Sequence, residues 1–558
     1  MSAMTRRGFV KGAALAPLAL QPLAWGQQTP APVPSERFDI VVAGAGHNSL
    51  ITTAYLAKAG YRCLVLEGRP ILGGGVKTAE ILLAGFQHDT CSSAHTAIFD
   101  NPLMRDDELK LGDYGLEYIH PDPVFHMPFP DGSHITQWRD PRRTAAEFGK
   151  FSKKDEAAYL RMMEEYESVK PILEAATFLP IGFGKPVNER LAEHPRGRLW
   201  QRRLAMSAWE IIRDNFEDDH SRAFMLASPW GNLPPENPMT GRSAYSIFHQ
   251  QRYSRPLPKG GSGKLTEALA RFIEAHGGVI LANKPVARLI IENRRCAGVE
   301  CVDGSSFRAQ KAVVSTIHIK QLVDMAPRQL WGQDFIDGVE TWQAECALVV
   351  TNLATTEPPK YSFEGGTISP VHSGIMPTAD RALRFGYDFA RSAVNVEDPP
   401  LHIICCTVAD PTRAPAGMHT VKILGYQPYD LKEGAQHWDQ IKNQVADANL
   451  NYLRRFSPNL TDDKILAKIV DSPLDFERMN PHNWHGSCHG GAWGPSQSGP
   501  LRPMAGWAQH RMPIPSLYQT GATTHPGGSV TGAPGRNAAM VILKDLGTSI
   551  EEVVKRKT

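Results

Sequence analysis

Between residues 38 and 67 the spacing of hydrophobic positions changes twice. Phe38-Asp39-Ile40-Val41-Val42-Ala43 is a nearly continuous β-branched run, as expected of a strand covered on both faces. Leu50, Ala54, Leu56 and Ala57 then recur at helical spacing until Gly60, which sits at a C-cap position. Arg62-Cys63-Leu64-Val65-Leu66-Glu67 returns to a short apolar run ending in an acid. The pattern predicts a strand, a helix and a second strand in a βαβ unit. Its first junction is Gly44-Ala45-Gly46-His47-Asn48-Ser49. In such a unit Gly44 makes the turn, Gly46 lets a pyrophosphate approach the backbone, and the helix N-terminus faces the phosphate charge. Glu67, closing the second strand, is placed for a ribose hydroxyl pair. Ser49 stands where the G-x-G-x-x-G pattern has its third glycine; serine is small enough to keep the helix close to the strand.

A second patterned stretch begins at Gly260-Gly261-Ser262-Gly263, which opens a helix reaching Ala275 with Leu265, Leu269, Phe272 and Ile273 on one face. Gly277-Gly278 ends it, and strands are expected at 279–281, 286–291, 297–302 and 307–314. This glycine segment is not another nucleotide fingerprint, because Arg255-Pro256-Leu257-Pro258 before it cannot form a central strand. Near the C-terminus, residues 517–522 read as a buried strand. Thr523-Thr524-His525-Pro526-Gly527-Gly528-Ser529-Val530-Thr531-Gly532 reads as a glycine-rich turn into a helix through Leu543. Backbone amides at such a helix start suit the electron-rich edge of a reduced flavin ring.

After Glu67 comes Gly68-Arg69-Pro70-Ile71-Leu72-Gly73-Gly74, which resembles the E-x-R-x-x-x-G-G pattern of the FAD superfamily containing phytoene desaturases, carotenoid isomerases and amine oxidases. The C-terminal segment resembles the same family's T-H-P-G-G-G-V-x-G-A-P-G-x-N-A-A, with Ser529 in place of a glycine. Gly46-His47-Asn48, residues 85–93 and Ser472-Pro473-Leu474-Asp475-Phe476-Glu477-Arg478 are similar to the branch typified by pyridine nucleotide-disulfide oxidoreductase domain-containing protein 2. The resemblance implies an α/β fold with a glutathione reductase-type, Rossmann-like FAD-binding domain assembled from residues 38–100, 256–344 and 501–558. An inserted α+β substrate domain would take residues 101–255 and 345–500. It further implies FAD contacts at Gly68, Arg69, Gly73, Gly74, Val286, Gly521, Gly528, Ser529 and Val530, besides Gly44, Gly46, His47, Asn48, Ser49 and Glu67.

Within the inserted segments, Ser152 and Asp155 mark the start of a helix whose Tyr159, Met162, Tyr166 and Val169 share a face, read as core. The apolar stretch 177–183 reads as a lid, a peripheral membrane contact or a buried loop. His485 and His489 are four residues apart, but Gly486, Gly490 and Gly491 argue against a metal-binding helix. No metal is expected, and both histidines are candidates for lining a cavity or satisfying backbone groups. His525 is the candidate titratable group beside the flavin, with a purely structural role equally open.

Other features narrow the setting. Thr5-Arg6-Arg7-Gly8-Phe9-Val10-Lys11, the apolar run 12–25 and Ala24-Trp25-Gly26 resemble a twin-arginine export signal at 1–26, followed by a Pro-rich linker at 27–37. This implies a periplasmic protein that loads its cofactor before export. Lys and Arg number 60 against 58 Asp and Glu, for a net charge of +2, so no broad field favours nucleic acid. The eight cysteines contain no C-x-x-C pair, and Cys405-Cys406 sits in an apolar run read as core. The expectation is an FAD-dependent dehydrogenase, desaturase or oxidase that takes a hydride from a mainly apolar small substrate. Electrons would pass to oxygen, quinone or a periplasmic cytochrome. A redox-neutral isomerase and a non-catalytic flavin-binding protein are the alternatives.

Overall fold

The computed structural model describes residues 37–227, 234–345, 347–376 and 378–556. The export signal read at 1–26, and the linker read at 27–37 apart from Arg37, lie outside the described residues.

The first patterned stretch forms β1 (Phe38–Ala43), α1 (His47–Lys58) and β2 (Cys63–Leu66). A hairpin of β3 (Phe125–Pro128) and β4 (His134–Gln137) follows, then the helices α2 (Lys153–Phe178) and α3 (Ser246–Tyr253). Ser152 caps α2 by accepting the backbone N–H groups of Lys154 and Asp155. The stripe Tyr159, Met162, Tyr166 and Val169 is buried. Next come α4 (Lys264–Ala275), β5 (Val279–Leu281), β6 (Val286–Glu292), β7 (Arg295–Cys301) and β8 (Ser306–Ser315). The chain continues through β9 (Ala347–Thr355), β10 (His372–Ile375), β11 (Leu401–Ile404), β12 (His419–Gln427) and β13 (Ile465–Asp471). It ends with β14 (Leu517–Gln519) and α5 (Ala533–Asp545) before a short terminal helix.

Two large sheets result. The first runs β6-β7-β8-β1-β2-β5, with β14 also on β8. Its centre is parallel: Val42 lies opposite Val65 on one side and Val314 on the other. Strand residues Ile40, Val42, Val65 and Val314 pack under α1, α4 and α5 through Leu50, Ile51, Leu269, Ile273, Ala539 and Ile542. Val41, Leu64 and Val313 enter a second cluster on the opposite face. The near-continuous apolar runs follow from this two-sided burial. The second sheet runs β13-β9-β12-β11-β10-β3-β4 and is antiparallel except where β10 lies beside β3. The strands of the first sheet come from chain segments far apart in sequence, and the residues from Phe38 onward pack as one unit.

The C-terminal strand is shorter than the 517–522 expected. It stops at Gln519 because Gly521 turns with φ +92, and a Cβ there would lie 2.5 Å from the Thr316 hydroxyl. The 177–183 stretch is folded inward: Leu179 and Phe183 pack on the α1/α5 core, and Asn537 Nδ2 donates to the Thr177 carbonyl. Cys405 and Cys406 are buried, and the described cysteines, at 63, 91, 296, 301, 405, 406 and 488, carry free thiols.

Candidate functional site

The two glycine segments meet because α1 and α5 cross at a glycine. A Cβ on Gly535 would sit 2.4 Å from the Asn48 carbonyl. Asn48 Oδ1 accepts the Gly535 N–H at 3.3 Å, and Thr52 Oγ1 donates to the Gly535 carbonyl at 2.8 Å. A single threonine then fixes both turns. Thr316, just past β8, fills the space in front of Gly44 and Gly521, and a Cβ at either would approach it to 2.5 Å. Gly44 also has φ +96, a conformation open to glycine at little cost. Ser49 lies beneath the turn, its hydroxyl within hydrogen-bond distance of the Gly44 and Gly46 carbonyls. The serine therefore returns a polar contact to the turn that it crowds.

Gly46 is different. Its φ is −67, it caps α1, and the nearest side-chain atom to a Cβ there would be 3.8 Å away. The protein itself therefore does not demand glycine at this position; the open side faces the cavity. The start of α1 has no side-chain cap and no acid in its first turn, so its N–H groups and dipole are left for an anionic ligand. Glu67 is buried at the end of β2. It accepts the Ala45 N–H at 2.9 Å and the Arg69 N–H at 3.0 Å, and pairs with Arg69 Nε at 3.2 Å. Each carboxylate oxygen still has lone-pair capacity for a hydroxyl.

These residues open on one cavity of about 1250 Å³. Its wall includes Gly44, Gly46, His47, Asn48, Glu67, Gly68, Arg69, Gly73, Gly74 and Val286 from the N-terminal side, and Gly521, Gly528, Ser529, Val530, His525 and His489 from the C-terminal side. Ser49 is buried just behind it. His485 is the exception, and its expected place is corrected: its ring stacks on Tyr429 with Nδ1 3.4 Å from Asp430, and it does not line the cavity. The reason is local. The 484–486 segment is a 3-10 turn with His485 at φ +50, which turns that side chain away while His489 reaches the cavity.

The electrostatics separate the two remaining histidines. Burial lowers the pKa of His525 to about 4, against the backbone carbonyls of Ala176 and Leu179, which favour its charged form. The imidazole is neutral near pH 7. His489 behaves oppositely: its Nδ1 lies 3.2 Å from the fully buried Glu345, and although burial opposes the charge, this carboxylate raises its pKa. Burial also holds His47 near pKa 4. The histidine whose charged form is favoured beside the C-terminal turn is thus His489, whereas burial disfavours that form at His525. Its backbone adjoins that turn, since a Cβ on Gly528 would lie 2.4 Å from the His489 carbonyl.

Several participants carry no motif. Arg502 is fully buried and donates to the carbonyls of Ala522, Ala492, Gln497 and Gly491, while Trp342 Nε1 and His318 Nε2 reach the Gly490 carbonyl at 3.1 and 3.2 Å. Together they fix the 489–493 loop against the C-terminal turn. Cys91 and Cys488 both line the cavity, and the neighbouring Cys488 thiol lowers the pKa of Cys91. Among the described residues no group of three His, Cys, Asp or Glu side chains is placed to hold a metal ion.

The far side of the cavity is made by the second sheet and α3, with Phe125, Ile375, Met376, Leu401, Ile404 and Leu424 among its lining. The whole wall thus offers a dinucleotide site at one end and an apolar chamber at the other.

Comparison with known proteins agrees with this geometry. The sequence pattern of flavin containing amine oxidoreductases matches residues 50–543. The chain is 26% identical to mouse pyridine nucleotide-disulfide oxidoreductase domain-containing protein 2, with 91% of this chain and 94% of that protein covered. It is 26% identical to a component of the limonene dehydrogenase of Castellaniella defragrans, over 92% and 95% of the two chains. In fold it is similar to an oxidoreductase from Methanosarcina mazei, at TM-score 0.58 and 18% identity, covering 91% of this chain and 99% of that one. The chain belongs to the flavin containing amine oxidoreductase family and is an FAD-dependent oxidoreductase.

Proposed function

We propose that this protein dehydrogenates or oxidises a mainly apolar small organic molecule, passing electrons to oxygen, a quinone or a periplasmic cytochrome after twin-arginine export to the periplasm. The observation that carries the reading is the continuity of one cavity from the glycine turns to the apolar wall of the second sheet. The name of the Castellaniella relative, a dehydrogenase of the hydrocarbon limonene, supports an apolar substrate.

In this reading the α1 N-terminus and the Gly44–Gly46 backbone would hold the diphosphate, Glu67 the ribose hydroxyls, and the Gly528–Val530 backbone the flavin ring. When bound, FAD supplies a two-electron hydride acceptor at N5. The chain's own work is to orient a C–H bond, exclude water and place charge. Glu345 favours the protonated form of His489 beside the C-terminal turn, against the opposing effect of burial. His525, neutral at pH 7, serves as a hydrogen-bonding wall residue. The export signal and electron acceptor rest on the N-terminal sequence and on the missing nicotinamide fingerprint.

The test is anaerobic. Purified protein should show flavin absorption, and one or more members of a panel of monocyclic terpenes, cyclic alcohols and amines should bleach it. If no member of such a panel reduces the flavin while dithionite does, the proposed substrate class is wrong.

A further inference from the structure

We propose that the apolar chamber contains an anion subsite built on Arg255, so that the natural substrate is an apolar molecule carrying a carboxylate. This rests on the reading of the cavity as the substrate chamber and narrows it.

Arg255 follows α3 and lies against His402 of β11 and Phe125 of β3 in the second sheet. It lines the cavity and is only 8% exposed. Among the described residues its contacts are Gln250, His402, Phe125 and Tyr426, none of them a carboxylate. Nη2 donates to Gln250 Oε1 at 2.5 Å, Nη1 donates to His402 Nε2 at 3.1 Å, and the guanidinium carbon lies 4.5 Å from the centre of the Phe125 ring. Nε has no hydrogen-bond partner among the described residues. A guanidinium only donates, so His402 Nε2 is a bare acceptor, and the His372 Nδ1 that lies 3.3 Å from it must carry a proton. Burial and the nearby Arg255 push both imidazoles well below their ordinary pKa. Neither histidine adds positive charge, and neither neutralises the arginine.

The other buried guanidiniums are all accounted for. Arg413 pairs with Asp89 at 2.8 Å and Arg536 with Glu108 at 2.7 Å, while Arg502 spends its donors on four backbone carbonyls. The carboxylates on the cavity wall are also taken: Glu67 by Arg69, and Asp100 and Glu174 by Lys170, with His249 also on Asp100. Arg255 is therefore, among the described residues, the one buried guanidinium with neither a carboxylate nor a carbonyl cage. Burying such a charge is costly unless something completes it. Its backbone adds to the cost, since Ser254 and Arg255 both adopt left-handed conformations, with φ +62 and +45. Strain and an uncompensated charge at one cavity-lining residue point to a ligand as the missing partner.

The ligand chemistry follows from the count. One guanidinium fork with a free Nε matches one carboxylate, whereas a phosphate dianion would lack a second cation because both histidines are neutral. The surrounding side chains, Phe125, Ile375, Met376 and Leu401, suit an apolar body behind that carboxylate.

The FAD-loaded protein should be titrated with butanoate through decanoate and phenylacetate, and with the matching primary amides, by calorimetry and by the shift of the flavin bands. At least one carboxylate is expected to bind ten-fold or more tightly than its own amide. Arg255→Met should erase that ratio with FAD content retained, and Arg255→Lys should keep part of it. The proposal is overturned if no carboxylate outbinds its amide, including the case where none binds, or if Arg255→Met keeps the preference. The wild-type ratio decides the matter even where the methionine variant does not fold. Failure of the oxidoreductase reading would show separately, as flavin that no substrate reduces while the carboxylate ratio remains measurable.

Discussion

Replacing Gly46 with alanine separates a glycine required by the fold from one required by the cofactor. At Gly46 the backbone is ordinary, with φ −67 and ψ 158, and an added Cβ would be 3.8 Å from the nearest side chain, Thr316. Gly46→Ala should therefore leave the apoprotein within about 0.5 kcal/mol of wild type, as expected of a substitution that touches nothing. The methyl group points instead into the cavity, where the diphosphate would lie against backbone N–H groups. Losing one charge-assisted hydrogen bond there costs about 1.5–3 kcal/mol, which weakens FAD binding by roughly 10- to 150-fold. Gly44→Ala is the control. Its φ of +96 and a 2.5 Å approach to Thr316 Cγ2 load the strain onto the protein itself, so it should lose about 2–4 kcal/mol of apoprotein stability. Urea unfolding of each apoprotein and fluorescence titration with FAD give the two numbers. The reasoning is refuted if Gly46→Ala binds FAD as tightly as wild type, or if it destabilises the apoprotein as much as Gly44→Ala.

Glu345→Gln should lower the pKa of His489, measured by NMR titration of its ring, because the carboxylate is what raises it. The same pair sets a pH window for stability. His489, raised in the fold, contributes fully below its unfolded pKa of about 6.5, and the contribution is lost as pH rises through the folded value. Glu345, lowered in the fold, contributes above about 4.3 and loses that contribution as pH falls through its folded value. Denaturation of wild type minus Glu345→Gln should thus differ most between about pH 4.5 and 6.5. Asp89→Asn removes the partner of the buried Arg413 at 2.8 Å and should cost about 3–5 kcal/mol in urea unfolding; a loss below about 1 kcal/mol would mean the ion pair does not hold the β12 side of the cavity.

The nucleotide half of the fold was legible because its signals are local. A β-branched run, two glycines, a helical period and a terminal acid all fall within residues 38–67, and each answers a backbone requirement visible in one segment. The C-terminal turn was legible for the same reason, including its odd position: Ser529 occupies φ +70, the left-handed conformation that explains a glycine in related sequences. What the sequence did not disclose depends on contacts across hundreds of residues. Thr316 bears no pattern, yet it sets the shape of two turns. Glu345 raises His489 from 144 positions away while burial lowers His525, so surroundings and not residue type separate the two histidines. Arg502 and Arg255 are both arginines beside prolines in the sequence, and only their surroundings distinguish a carbonyl clamp from an uncompensated charge. His485 and His489 part company for a reason no spacing shows: a positive φ at His485 sends neighbouring side chains to different sides.

The central claim, that both glycine segments grip a single FAD, is tested most directly by hydrogen–deuterium exchange of the apoprotein with FAD and with ADP-ribose. FAD should slow exchange at the amides of residues 46–49 and of 528–531 together, at one equivalent, whereas ADP-ribose, which lacks the flavin ring, should protect only the first set. Protection confined to the N-terminal amides with FAD, or equal protection of 528–531 by ADP-ribose, would contradict the account.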